Sequence, residues 1–189
     1  MSLEDANTAF SEGKYEQAVD LYKAAMGSLP EEDHHLVHSN IGASLQNLGK
    51  PAEAIEAFDA ALQLDPTHAQ SFHNKGVSFT ALGKHDHALQ AFEAAVSAHQ
   101  LKHKNDAEST PFFAALCGRA EALANLQRFD ESVGAATTAY AAAANDTEEV
   151  TALSDRAFAL LKIATRRGGE AHWLVYLFAG LFLFRYAFL

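Results

Sequence analysis

"LGKPAEAIEAFDAAL" (residues 48–62) and "LGKHDHALQAFEAAV" (residues 82–96) are two copies of one pattern, offset by 34 residues. The likeness runs leftward, where "HSNIGASLQN" (38–47) lies over "FHNKGVSFTA" (72–81). It also reaches backward to "SEGKYEQAVDLYKAAM" (11–26) and forward to "LQRFDESVGAATTAY" (126–140), where Gln127 takes the place of the glycine. A fixed period of this length marks a repeat architecture.

The period carries a packing pattern. Small residues recur at Gly42, Gly76 and Ala120 on one segment and at Ala18, Ala54 and Ala88 on the next. Large apolar residues follow at Tyr22, Phe58 and Phe92, then alanine at Ala25, Ala61 and Ala95. Apolar residues spaced by three and four predict helices. Glycine at the end of the first segment is a helix stop, and Pro30 and Pro66 close the second. Each unit is then a helix–turn–helix too small to bury its own apolar face, so the units must stack.

These residues resemble the tetratricopeptide repeat. Residues 35–68 carry Ile41, Gly42, Leu45, Gly49, Ala54, Phe58, Ala61 and Pro66; residues 69–102 carry Phe72, Gly76, Phe79, Gly83, Ala88, Phe92 and Ala95, with Gln100 in place of the proline. Residues 1–32 form a copy lacking its first positions, and residues 113–146 form a degenerate fourth. The resemblance implies an all-α solenoid of helical hairpins, wound as a right-handed superhelix. Residues 103–112, "HKNDAESTPF", are extra, and without a proline at 100 the second helix of the third unit can run on toward Asn105. Residues 147–167 read as a closing helix with an apolar stripe of Val150, Leu153, Ala157, Leu160, Leu161 and Ala164. Residues 168–170 read as a Gly-Gly hinge, and residues 171–189 as a hydrophobic C-terminal helix.

Fourteen Lys and Arg against 24 Asp and Glu give a net charge of −10. That repels a phosphate backbone, so nucleic acid is not an expected partner. The single cysteine, Cys117, excludes an intramolecular disulfide. The opening "MSLEDANTAF" has neither a basic nor an apolar region of the signal-peptide kind, and no such leader is expected. No phosphate loop, nucleophile elbow or metal-ligand pair with an orienting carboxylate is present. His34 and His38 stand four apart and "HDH" (85–87) sits in a turn, but these read as solvated histidines. The expectation is a chain with no catalytic residue, metal or cofactor.

In the family the first helices line a groove, with repeat positions 2, 5, 6, 9 and 12 facing it. Carried over, the candidate lining is Asn7, Phe10, Leu36, Ser39, Asn40, Ala43, Gln46, Gln70, His73, Asn74 and Val77. The family's chaperone-tail receptors hold a terminal carboxylate with asparagines, matched here by Asn7 and Asn40, and with three cations. The cations' places hold Leu3, Gln70 and Asn74. A carboxylate here would lose its charge-assisted partners. What remains is a neutral groove in which asparagine amides can grip a peptide backbone. The resemblance thus implies a protein partner that presents an extended peptide.

The chain closes on "HWLVYLFAGLFLFRYAFL" (172–189), which holds one formal charge, Arg185. A segment apolar on every side is buried in protein or in lipid. Trp173, Leu174, Leu177, Phe178, Leu181, Phe182 and Phe184 would face hydrocarbon, with Arg185 near the far end. Its 17 residues from Trp173 span roughly 26 Å as helix against a hydrocarbon core of about 30 Å. Short anchors with basic flanks, here Arg166 and Arg167, are similar to those of mitochondrial outer-membrane proteins. Three readings stand: a membrane anchor with the repeats in the cytosol, an internal ligand folded back on soluble cytoplasmic repeats, or a docking helix of an accessory subunit in a membrane complex.

Overall fold

The computed structural model describes residues 2–102, 110–143 and 146–166. The helices are α1 (Leu3–Ser11), α2 (Tyr15–Met26), α3 (His34–Asn47), α4 (Pro51–Leu64), α5 (Ala69–Ala81), α6 (His85–Lys102), α7 (Thr110–Asn125), α8 (Phe129–Ala142) and α9 (Asp146–Arg166), with one 3₁₀ turn at Glu31–Asp33. The described residues contain no β-strand. Successive helices pair as α1/α2, α3/α4, α5/α6 and α7/α8, and α9 packs on α8 and α7.

The turn inside each hairpin is one device used four times. Gly13, Gly49 and Gly83 take positive φ of 75°, 69° and 68°, and Gln127 takes 60° in the same place. The amide of the following residue, Lys14, Lys50, Lys84 or Arg128, donates back five residues at 2.9 Å in all four turns. This is the bond pattern of a left-handed helix cap. The carbonyl of that same basic residue then accepts from the amide of Ala18, Ala54, Ala88 or Ser132, so one residue ends a helix and starts the next. A Cβ on Gly13, Gly49 or Gly83 would meet nothing within 4 Å. Glycine is there for its backbone angle, and Gln127 holds that angle against its own Cβ.

Between the paired helices the constraint is space. A Cβ built on Gly42 would fall 2.5 Å from the Phe58 ring, and one on Gly76 would fall 2.7 Å from the Phe92 ring. Both rings are buried, Phe58 completely. Gly118 on α7 also lies against Phe92, its Cβ position 2.5 Å from the ring. Phe92 therefore sits between glycines of two consecutive hairpins. The sequence pattern had pointed to Ala120 as the small residue of α7. Ala120 is buried too, and its carbonyl accepts from the Ser132 hydroxyl at 2.8 Å.

The helices divide into two layers. α3, α5, α7 and α9 touch in series, whereas α4, α6 and α8 touch the first helices on either side without forming such a row. Closer packing of the first helices puts them on the inside of the curve. Among the described side chains of the closing helix, Ala152 and Ala159 are fully buried, Leu153 of the expected stripe is half-buried, and Leu160 of that stripe is 42% exposed. Alanine lets α9 lie close to the buried Ala139 of α8, in the same cluster as Ala152. Of the expected stripe, Val150, Ala157, Leu161 and Ala164 are side chains outside the described set. No helix among the described residues is long and apolar enough to cross a membrane. The segment 171–189, with Trp173, Leu174, Leu177, Phe178, Leu181, Phe182, Phe184 and Arg185, lies outside the described residues.

Two substitutions test these packing claims by urea or thermal unfolding. Gly42→Ala drives a methyl group into the Phe58 ring and should cost about 1–3 kcal/mol. Gln127→Gly should match or exceed wild-type stability, because it removes a left-handed strain of about 1–2 kcal/mol at the price of some chain entropy. A Gly42→Ala protein as stable as wild type, or a clearly weakened Gln127→Gly protein, would contradict the respective claim.

Candidate functional site: the inner face of the first helices

Helices α1, α3 and α5 contain no arginine and one lysine, Lys75. Its ammonium pairs with Asp59 of α4 and lies 5.7 Å from the centre of the Phe79 ring. That cation is held by the outer layer. The inner surface of α3 and α5 is consequently uncharged apart from its histidines, in a chain whose net charge is −10.

The amide side chains on this surface are not equivalent. Asn7 is exposed, and its Oδ1 accepts from the Tyr22 hydroxyl at 2.7 Å. Burial pushes the Tyr22 phenol above its usual range, so it keeps its proton as donor. Asn74 is half-buried; its Oδ1 accepts from Gln70 Nε2 at 2.8 Å. Gln46 reaches from α3 to the Asn74 backbone carbonyl at 3.0 Å, a bond between neighbouring hairpins. Asn40 is half-buried, and its side chain has no hydrogen-bond partner among the described residues. Gln70 and Gln46 are therefore parts of a connected amide system centred on Asn74.

The apolar candidates divide similarly. Leu36 and Val77 are 42% and 41% exposed. Ala43 is half-buried, as is Phe10, whose ring meets Tyr15 edge-on at 5.4 Å. Ser39 and His73, at the same repeat position, lie deeper. Ser39 is buried. The His73 ring packs 5.6 Å from Phe92, and its Nδ1 is buried with no partner in the protein. Burial holds the His73 imidazole below its usual pKa, so the ring is neutral. At this repeat position the serine is buried and the histidine is half-buried with its ring against Phe92.

A second histidine group lies where α3 meets the α4–α5 connection. His35 Nδ1 donates to the Glu32 carbonyl at 2.6 Å, its Nε2 lies 3.8 Å from an Asp65 oxygen, and its ring meets His68 at 5.3 Å. His68 Nδ1 is 2.7 Å from the Ser71 hydroxyl. Burial first, and the nearby His35 second, lower the His68 pKa. His38 is likewise lowered by burial and by His34. No group of three potential ligands arranged for a metal occurs among the described residues.

Comparison with known proteins agrees with this architecture. Residues 33–100 match the family model of the tetratricopeptide repeat. A curated peroxisomal targeting signal receptor from Candida albicans is 32% identical over 65 residues, covering 34% of this chain. The match spans 11% of that receptor's length. Among solved structures, MamA (residues 41 to the end) from Desulfovibrio magneticus RS-1 superposes with a TM-score of 0.72 at 20% identity, covering 94% of this chain and 88% of its own. The second tetratricopeptide domain of human RPAP3, in complex with the HSP70 peptide SGPTIEEVD, is 26% identical with a TM-score of 0.51. It covers 64% of this chain and 92% of its own.

The buried histidines make stability depend on pH. The unfolded chain takes up protons near pH 6.5, whereas His38, His68 and His73 in the folded chain resist them. The stability present above that pH is therefore lost as pH falls through the depressed folded values. The melting temperature should drop between about pH 7 and pH 5. A His73→Gln protein should drop less over the same range. An unchanged slope in that variant would place its titration elsewhere.

Proposed function

We propose that this chain is a non-enzymatic interaction module built on tetratricopeptide repeats, and that it takes an extended peptide of a partner protein along the inner face of α1, α3 and α5. The observation that carries this reading is the set of amides Asn7, Asn40 and Asn74 on the first helices, of which α3 and α5 carry no fixed charge but the paired Lys75. Asparagine binds backbone amides without reading side chains, and Leu36 and Val77 offer exposed apolar surface for a partner's side chains. The Candida albicans relative is by name a receptor for a targeting signal, and the RPAP3 domain is bound to a peptide. Both support a peptide-holding role. The RPAP3 ligand ends in Glu-Glu-Val-Asp, whereas here Leu3, Gln70 and Asn74 stand where chaperone-tail receptors place cations. The partner segment is therefore neutral or apolar, and not acidic.

The tail extends the proposal. Its apolar run after Arg166 and Arg167 would hold the repeats on the cytosolic face of a membrane, an organelle surface such as the mitochondrial outer membrane being one such site. The same apolar run suits a structural accessory subunit of a membrane complex. Fixed stoichiometric partners after detergent purification would favour the subunit; weak exchangeable peptides would favour the receptor.

Two measurements test these readings. Fluorescence anisotropy with labelled SGPTIEEVD should give a Kd weaker than about 100 µM, because a desolvated carboxylate without cations loses its charge-assisted bonds. Micromolar, salt-sensitive binding would overturn the neutral-groove assignment. For the tail, full-length protein should resist carbonate extraction, and Gly180→Arg should release it, since a mid-segment arginine costs about 2.5–3.5 kcal/mol on insertion. Recovery of the full-length chain in the carbonate supernatant would rule out a spanning anchor.

A further inference from the structure

The peptide reading leaves one question open: which end of each asparagine amide meets the partner. An asparagine side chain has an acceptor oxygen and a two-donor nitrogen. If one end is occupied inside the protein, the other is what a ligand meets. At Asn7 the oxygen is occupied by Tyr22 from α2, and at Asn74 it is occupied by Gln70 one turn earlier on α5. Neither Nδ2 donates to any described residue, and neither is among the buried unpartnered atoms. The Asn74 Nδ2 is thus open to solvent, and Asn7 is an exposed residue. Gln46 adds a constraint at Asn74, because its bond to the backbone carbonyl there ties α3 to α5.

We propose that Tyr22 and Gln70 are positioning residues that fix the Asn7 and Asn74 amides with their N–H₂ ends outward, so that the inner face is a row of neutral donors. Its partner is an extended peptide that presents backbone carbonyl oxygens to those donors. This rests on the peptide reading above and adds its polarity. Asn40, with no internal partner, can turn either end and completes the row without setting its sign. A neutral donor row discriminates by hydrogen-bond sense, not by charge. It favours any chain whose carbonyls lie along one edge and does not require a terminal carboxylate. Tyr22 suits the task at Asn7, since its side chain is buried and its hydroxyl donates to the Asn7 oxygen from below.

The test exploits an isosteric change. Asn74→Asp and Asn7→Asp keep an oxygen for Gln70 or Tyr22 to donate to, and replace the outward N–H₂ by an oxygen. The probe is the tightest member of an array of N-acetylated, C-amidated octapeptides lacking Asp, Glu, Lys and Arg, measured against full-length protein in detergent. Each Asp variant should bind it about tenfold more weakly, as expected when a donor facing an acceptor is lost. The loss should persist at high salt, since the probe is uncharged. Gln70→Leu, which frees the Asn74 amide without adding charge, should also weaken binding with no loss of melting temperature beyond about 2 °C. If Asn74→Asp binds as tightly as wild type or tighter, the oxygen faces the partner and the assigned polarity is wrong, while the peptide reading stands. Unchanged binding by a folded Gln70→Leu protein would remove Gln70 from the positioning role. If no member of the array binds the wild type, the peptide reading itself fails and the inference falls with it.

Discussion

Each central hairpin of this chain closes on an aromatic ring laid against a glycine. Phe58 against Gly42 and Phe92 against Gly76 leave no room for a Cβ. The close approach lets a large ring be buried between two short helices, and burial of such a ring contributes about 1.5–3 kcal/mol. The same contact joins one hairpin to the next, because Gly118 covers the far side of Phe92. Hairpin closure and hairpin stacking are thus parts of one steric arrangement. The inner row of first helices, and everything displayed on it, inherits its spacing from these contacts.

Charge is distributed with the same economy. The acidic surplus lies off the α3–α5 inner face, and the one lysine of the first three inner helices is held by Asp59 of the outer layer. A strip without free fixed charge offers a ligand no local ion pair, although the net charge of −10 sets the field around the molecule as a whole. Recognition there must rest on hydrogen bonds and apolar contact. The Gln46 bond to the Asn74 carbonyl makes the strip part of the stacking too, so the face that would meet a partner also holds adjacent hairpins together.

Much of the fold is legible in the residues. Gly13, Gly49 and Gly83 announce their turns because no other residue takes a left-handed angle so freely. Gln127 shows that the turn is dictated by the flanking helices, which impose the angle even on a residue with a side chain. The contact of Gly118 with Phe92 is not legible, since alignment by period puts Ala120 in the small-residue place and says nothing of ring reach between hairpins. On α9 the expected stripe overlooks two small residues, Ala152 and Ala159, which are fully buried, whereas Leu160 of that stripe is exposed. For the inner face, repeat positions say nothing of the depth at which each residue lies. Asn7, Leu36 and Val77 are open, Asn40, His73 and Asn74 are half-buried, and Ser39 is buried. Gln70 stands four residues before Asn74, a spacing that a helix rule singles out, whereas the pairing of Tyr22 with Asn7 crosses between helices and is not legible.

The central claim is that the inner row of first helices is the surface on which a partner peptide lies. The most direct measurement is a ¹⁵N–¹H spectrum of the labelled protein, backbone and side-chain amides assigned, recorded as a bound octapeptide is added. The account predicts that shifts concentrate on α1, α3 and α5, with the Asn7, Asn40 and Asn74 side-chain amides among the largest, and that the outward residues of α2, α4 and α6 stay unmoved. Shifts concentrated on those outer helices, with the asparagine amides unchanged, would contradict it.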